Sequence, residues 1–209
     1  EKMEWAVFRP DLVGLQSDSD SRVQALARRA LAQITPNGGR GGEIIRTHGG
    51  YEGLKSYRAA EIVYDATVIF CDRFVDRFSR TRDQMIQAAR SGKQNIVEAS
   101  AAAGTSSKTE LKLTGVARAS LEELLADYRD FLRQRNLPQW DKDDGAAQQI
   151  RKMAYIENRS YGHYKAYIED SGPETAANTA ICLIYQATCL LDRQIKQLET
   201  AFLEHGGIS

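Results

Sequence analysis

The sequence predicts an all-α protein built on an antiparallel, up-down four-helix bundle, and two observations carry this prediction. The composition is rich in good helix formers (Ala, Leu, Gln, Glu and Arg), and there are only four prolines in 209 residues. Four long segments repeat apolar residues at three- and four-residue steps, which is the pattern of one helix face. Long amphipathic helices of similar length pack well side by side as a bundle.

Residues 1–50 are predicted to be a separate amino-terminal part. An irregular arm covers 3–19, and Asp20 or Ser21 can cap a short helix that ends near Ile34. The stretch 35–50 is rich in glycine and is typical of a flexible linker. We therefore expect the bundle domain to occupy 51–209.

The first two bundle helices are predicted at about 52–78 and about 81–103. The apolar stripe of the first comprises Tyr57, Ala60, Tyr64, Thr67, Cys71, Phe74 and Phe78, widened by Val63, Ala66 and Phe70. The stripe of the second comprises Met85, Ala89, Gly92, Ile96, Ala99 and Ala103. Because most residues of this second stripe are small, we expect a neighbouring helix to approach it closely.

The remaining two bundle helices are predicted at about 107–136 and about 174–205. The stripe of the third comprises Leu113, Ala117, Ser120, Leu124, Tyr128 and Phe131. The stripe of the fourth comprises Ala177, Ile181, Ile184, Thr188, Leu191, Ile195, Leu198 and Phe202. Pro173 suits the first position of this last helix.

Local signals set the predicted helix ends. Thr81 with Gln84, and Ser107 with Glu110, fit the spacing of a capping box at the start of the second and third helices. Gly104 suits a left-handed residue between them. The turn at this point is short, so these two helices are expected to be antiparallel.

The connection before the last helix is predicted to lie against the bundle as a short helical cover. Ile150, Met153 and Ala154 suggest a short helix, and Gly162 interrupts the helical pattern further along. An aromatic cluster is expected there, formed by Tyr155, Tyr161, Tyr164 and Tyr167. These rings suit either a packed cover or base stacking.

Charge and cysteine content limit the classes of function. Lys and Arg number 28 and so do Asp and Glu, which gives no overall attraction to polyanions or membranes. No run approaches the roughly 18 apolar residues of a membrane span, and the first residues, EKMEWAVFRPDL, lack an apolar signal region. Cys71, Cys182 and Cys189 have no metal-binding spacing, so we expect reduced thiols and a cytoplasmic protein.

The block from Val63 to Leu137 resembles the four-helix-bundle proteins encoded in intervening sequences of 23S ribosomal RNA. The matching residues are Val63, Tyr64 and Thr67; Gln84; the stretch SGKQNIVEA; Ser107, Lys108 and Glu110; and Ala117 to Leu121 with Glu123 and Leu124. The family shows Asn-Ile-Ala-Glu-Gly within the second helix. Here Val97 and Ala99 depart from that pattern. Residues 138–209 look like the additional carboxy-terminal segment of the family's longer variety.

This resemblance implies a bundle that assembles into a ring, a homopentamer, without catalytic activity or cofactor. One relative, the accessory protein of diversity-generating retroelements, works with a reverse transcriptase and binds nucleic acid through a basic surface. By resemblance, the partners expected here are further copies of the chain, RNA or DNA, and a nucleic-acid enzyme such as a reverse transcriptase.

Basic residues are the main candidates for a nucleic-acid site. The stretch from Arg80 to Arg118 holds seven basic residues against three acidic ones. The candidates are Arg80, Arg82, Arg90, Lys93, Lys108, Lys112 and Arg118. Repeated around a ring, they could bind phosphates and release counterions. The alternative is that they form the ordinary solvated faces of amphipathic helices.

Three polar residues are predicted to have structural or interface roles. Asn95 and Glu98 lie beside the small-residue stripe, where they could fix the helix register or contact a neighbouring subunit. Glu110 is interpreted as part of a helix cap.

Catalytic and cofactor sites find little support in the sequence. Arg159 and His163 resemble the Arg–His pairs of some all-α ribonucleases, but their spacing is one residue short and Gly162 lies between them. No Glu-x-x-His pair for a di-iron centre occurs. We expect a non-enzymatic protein that binds nucleic acid or a nucleic-acid enzyme. The alternative is a scaffold with protein partners only.

Overall fold

The computed structural model describes residues 50–204, and every regular element in this range is helical. The α-helices are α1 (Lys55–Phe74), α2 (Arg80–Ala102), α3 (Ser107–Gln134), α4 (Gly145–Lys152), α5 (Lys165–Glu169) and α6 (Pro173–Glu204). Short 3₁₀ turns cover Tyr51–Gly53, Met153–Tyr155 and Tyr161–His163. The all-α prediction is confirmed for this part of the chain.

The four long helices contact one another in a closed order. Helix α1 packs on α2, α2 on α3, α3 on α6, and α6 on α1. These contacts are compatible with the predicted four-helix bundle. An aromatic group joins α1 to α3, because the Phe70 ring lies 4.8 Å from the ring of Tyr128 and 4.8 Å from that of Phe131.

Helices α2 and α3 approach each other closely at Gly92. A Cβ atom placed on Gly92 would lie 2.6 Å from Cδ2 of Leu121, so no larger residue fits without movement. At the same level the hydroxyls of Ser91 and Ser120 are 3.0 Å apart. Since both contacts lie similar distances from the connecting loop 103–106, the two helices run antiparallel. The predicted small-residue stripe is buried from Met85 to Ala99, as expected.

Helix α1 is shorter than the predicted 52–78, and the prediction is wrong at its carboxyl end. After Phe74 the backbone becomes extended at Val75. The Asp76 carboxylate then accepts the N–H of Phe78 at 2.7 Å, which forms a tight turn in place of a further helical turn. Phe78 therefore lies outside the stripe and is 81% exposed.

Both predicted capping boxes are wrong by one or two residues. Helix α2 is capped by Ser79, whose Oγ accepts the N–H of Thr81, and α3 by Ser106, whose Oγ accepts the N–H of Thr109. In each case a serine at the end of the preceding loop is free to adopt the extended backbone that a cap requires. Thr81 and Ser107 lie inside the first turn, where the backbone is helical, and so they cannot adopt that extended conformation.

Helix α3 ends in a Schellman motif two residues before the predicted end. Asn136 has a φ of 52°, the N–H of Leu137 donates to the carbonyl of Leu132, and that of Asn136 donates to the carbonyl of Arg133. Asparagine is one of the few residues that tolerate this left-handed conformation.

Helix α6 matches its prediction closely, but its first half is buried on almost every side. The predicted heptad explains one face only. Helices α4 and α5 cover a second face of α6. The additional buried residues are Asn178, Thr179, Cys182 and Gln186. The short helices expected in this connection are present and pack against α6.

Two buried amides of α6 hold the connection between α3 and α6 in place. The Asn178 side chain accepts the N–H of Trp140 at 2.8 Å and donates to the carbonyl of Pro138 at 2.9 Å. The Gln186 side chain donates to the carbonyl of Ile150 at 3.3 Å and accepts from Arg159. Both buried amides thus have their hydrogen bonds satisfied by the connection.

Several predictions fall at or beyond the limits of the described range. The predicted amino-terminal arm, short helix and linker lie outside it, so the boundary near residue 50 stays a prediction. From Gly50 to Glu204, no helix combines the length and the apolar character that crossing a membrane requires.

Candidate nucleic-acid interface

The seven predicted basic residues lie along the α2–α3 hairpin and do not form one patch. Arg80 and Arg82 are at the start of α2, while Lys108 and Lys112 are at the start of α3, beside the connecting loop. With Ser91 level with Ser120, and a rise of about 1.5 Å per residue, Arg80 and Lys108 are roughly 34 Å apart along the hairpin. Arg90 and Lys93 lie between these two ends.

Two of the four guanidinium groups among these seven residues are engaged by carboxylates of other helices. Arg82 is paired with Asp72 of α1, and Arg118 is paired with Asp192 of α6 as well as with Glu122, 3.5 Å away. The hydrogen bond to each aspartate raises the arginine pKa further above its ordinary value. These arginines link neighbouring helices, so they offer less charge to a ligand than the sequence suggests.

Lys93 is held against an aromatic ring of the neighbouring helix. Its Nζ lies 4.7 Å from the centre of the Tyr64 ring on α1, an arrangement that attracts a cation to the ring face. Burial and the charge of Glu61 raise the pKa of Asp65 nearby, and the positive charge of Lys93 acts against that rise. Lys93 therefore serves the α1–α2 contact in addition to any external role.

Four cations remain directed to solvent. Arg80, Arg90, Lys108 and Lys112 are exposed and have no ion pair within residues 50–204. Lys108 and Lys112 are one turn apart on the same face of α3. The amino-terminal end of a helix carries a partial positive charge, which adds to that of Arg80 on α2 and to that of Lys108 on α3, where Glu110 also lies in the first turn. The start of α3 is thus the most favourable of these places for an anion.

The groove between α2 and α3 is acidic, unlike the exposed cations just described. Its volume is about 400 Å³, and the lining residues are Asp83, Gln84, Gln87, Ala88, Ser91, Ser120 and Glu123. Two carboxylates and no basic group line it, so a phosphate backbone would be repelled there.

The three predicted structural or interface residues have different surroundings. The Asn95 amide donates to the carbonyl of Ser91 at 2.9 Å and to its Oγ at 3.1 Å, beside the hydroxyl contact to Ser120. Glu98 is exposed. Glu110 lies one residue beyond the position that a capping box requires, because Ser106 is the cap.

Arg159 and His163 do not converge on a common site. The Arg159 guanidinium donates to the buried amide of Gln186 and, at 3.4 Å, to the hydroxyl of Tyr164. The His163 ring turns back onto its own turn, where Nδ1 accepts the N–H of Ser160 at 3.2 Å. Both side chains serve to fix the cover. In the part of the chain that the structure describes, no cluster of His, Cys, Asp and Glu could hold a metal ion.

One exposed group was not anticipated from the sequence. Phe78 stands out of the α1–α2 turn, and the guanidinium of Arg77 lies 4.5 Å from the centre of its ring. The signal that could have identified it is the presence of Asp76 before Phe78 and of Ser79 after it. Aspartate favours a turn, and serine favours the cap of a new helix. The regular spacing of apolar residues concealed that signal.

Comparison with models of protein families, with curated proteins and with solved structures finds no match to this chain. The resemblance to the intervening-sequence family therefore stays a prediction.

Proposed function

We propose that this chain is a non-catalytic antiparallel four-helix-bundle protein that assembles into a ring, a homopentamer, and binds nucleic acid. RNA is the preferred ligand, and a nucleic-acid enzyme such as a reverse transcriptase is a further partner. The proposal depends chiefly on one observation. Lys108 and Lys112 form an unpaired, exposed pair of cations at the start of α3.

The ring matters because one protomer carries few free cations. The four unpaired groups on the hairpin would contribute modestly if each protomer acted alone. Several copies arranged in a circle would present the same groups repeatedly to one polyanion. Release of counterions from the nucleic acid would then supply the binding free energy.

The test is the salt dependence of binding to single-stranded RNA. The logarithm of the affinity should fall linearly with the logarithm of salt concentration, with a slope of about −0.7 for each phosphate contacted. Lys108→Glu with Lys112→Glu should abolish binding at moderate salt, and residual binding at low salt should have a slope shallower by at least about 1.4. Fluorescence anisotropy of a labelled RNA measures both quantities.

Lys142→Glu with Lys152→Glu is the matched control. It makes the same change of charge at two exposed lysines of the cover, away from the hairpin. Equal loss of binding in both double variants would show that only net charge matters. Absence of RNA binding by the unmodified chain at low salt would refute the proposal.

A scaffold with protein partners only is the second candidate. It is favoured by the pairing of Arg82 and Arg118 with aspartates and by the uncharged or acidic lining of the α2–α3 groove. It predicts that the variant with Lys108→Glu and Lys112→Glu assembles with itself as the unmodified chain does and still binds a protein partner.

A further inference from the structure

We infer that the α1–α2 turn, residues 75–79, is a base-stacking site for single-stranded nucleic acid, with Phe78 as the platform. This inference rests on the proposed function and identifies a contact that the basic helices alone do not supply. The ring is 81% exposed although it belongs to a turn with fixed hydrogen bonds. Single exposed apolar side chains are ordinary on protein surfaces, and what distinguishes this one is the arginine held against its ring.

The turn fixes the backbone that carries the ring. The Phe78 N–H donates to the Asp76 carboxylate at 2.7 Å, and the Ser79 N–H donates to the carbonyl of Asp76 at 2.9 Å. Ser79 then caps α2 through the N–H of Thr81. The backbone on either side of the ring is thus fixed before any ligand arrives, which lowers the entropy lost on binding.

The charges around the ring suit a phosphate backbone. The Arg77 guanidinium covers one face of the ring, which leaves the opposite face open, and Arg80 is exposed two residues further along. Of the three neighbouring carboxylates, Asp83 is exposed and lies 3.8 Å from the Arg82 guanidinium, while the other two accept hydrogen bonds. Asp72 pairs with Arg82, and Asp76 accepts the N–H of Phe78. A base on the open face would place its flanking phosphates near two free guanidinium groups.

The surroundings of Phe78 favour nucleic acid over a protein partner. The core of a protein interface is a cluster of apolar side chains that are buried together. Between residues 72 and 83, Phe78 is the only large hydrophobic side chain that is exposed. A single ring flanked by arginines matches instead the combination of stacking and phosphate contacts that binds single strands.

The experiment compares binding of the full chain and its variants to a fluorescein-labelled oligouridylate of about 12 nucleotides, within the usual site size. Phe78→Ala should weaken binding about 5- to 150-fold, the range for loss of one stacked base, whereas Phe78→Tyr should bind normally. Because the ring carries no charge, Phe78→Ala should leave the salt slope unchanged. Leu203→Ala, which removes an equally exposed apolar side chain (80%), is the control and should have no effect.

Phe78→Trp supplies a direct readout. Its indole fluorescence should be quenched by the oligouridylate, beyond any change in the two tryptophans already present. Far-ultraviolet circular dichroism confirms that each variant keeps its helices.

The outcomes separate this inference from the proposed function. If the Lys108 and Lys112 reversals abolish binding while Phe78→Ala binds normally, the proposed function stands and the stacking site is wrong. If Phe78→Ala weakens binding while the reversals do not, the stacking site stands and the lysine interface is wrong. If the unmodified chain binds no oligouridylate, both are wrong, and retention of a protein partner that depends on Phe78 would assign the turn to a protein interface.

Discussion

Gly92 determines how closely α2 and α3 can pack. The missing side chain leaves room for the buried Leu121, whose Cγ and Cδ2 atoms would lie 2.8 Å and 2.6 Å from an added Cβ. The sequence predicted this close approach because small residues recur along the stripe of α2. It could not predict which residue of α3 would fill the space, since that depends on the register between the helices.

Gly92→Val should lower the free energy of unfolding by about 2 kcal/mol, because the larger side chain overpacks a filled core. Gly115→Ala is the matched control, since open space surrounds that position on α3. It should raise the free energy of unfolding by up to about 1 kcal/mol through better helix propensity. Urea unfolding followed by circular dichroism measures both, and equal effects would contradict the assigned packing.

Buried thiols and a buried phenol should make stability depend on alkaline pH. Burial raises the pKa of Cys71 to about 12, that of Cys182 to about 11, and that of Tyr128 well above its ordinary value. In the unfolded chain the thiols ionise near pH 9 and the phenol near pH 10, so the unfolded state loses protons first. Stability is therefore complete below about pH 9 and falls as the pH rises toward the folded-state pKa values.

The expected slope is about 1.4 kcal/mol per pH unit for each such group that ionises only on unfolding. Cys71→Ala should remove one group from this dependence, whatever its effect on stability at neutral pH. Urea unfolding between about pH 8 and about pH 11 measures the slope. A slope that is the same in both proteins would show that Cys71 ionises equally in the folded and unfolded states.

At the scale of elements, helix existence was far easier to predict than helix ends. The periodic segments contain enough residues to define four long helices, and all four occur. The predicted end of α1 was wrong because Phe78 has the spacing of the apolar stripe, whereas the turn depends on a hydrogen bond to Asp76. A single polar side chain overrode the apolar pattern at that point.

The all-round burial of α6 was also missed from the sequence. Asn178 and Gln186 lie off the heptad and look like surface residues, but each binds a distant stretch of the connection between α3 and α6. Hydrogen bonds between residues so far apart in the sequence produce no periodic pattern in it. The sequence predicted short helices in this connection, but it did not identify the residues of α6 that bind the connection.

Asn178→Ala should destabilise the protein by about 2 kcal/mol, because the N–H of Trp140 and the carbonyl of Pro138 lose their buried partner. Hydrogen exchange at Trp140 should accelerate more than exchange in α2. Asn95→Ala is the control, since the side-chain hydrogen bonds of Asn95 stay within α2. It should lower the free energy of unfolding by less than about 0.5 kcal/mol. Equal changes in the two variants would contradict the role given to Asn178.

At the scale of the whole molecule, the sequence located the basic residues but not their availability. Arg82 and Arg118 are paired with aspartates 10 and 74 residues away. Such pairs arise only when the helices are packed. The free charge on the hairpin is therefore smaller than the count of basic residues implied, which makes repetition in an assembly more important.

The ring proposal predicts a particle several times heavier than one chain. Five copies of a 23.3 kDa chain would give about 117 kDa by sedimentation equilibrium. The lysine reversals at 108 and 112 should leave that mass unchanged, because they alter an exposed ridge of α3. A protomer-sized particle at all concentrations would contradict the ring and leave the hairpin to act alone.

The roughly 34 Å between Arg80 and Lys108 is close to one full turn of double-stranded DNA. A very short fragment could occupy one end of the hairpin but could not span to the other. On one protomer, affinity should then rise with fragment length in a step once both ends are bridged, and in the ring it should rise again when a fragment reaches a neighbouring protomer. Under the proposed function, the minimal footprint of the hairpin is set by the length of two helices rather than by the number of charges they carry.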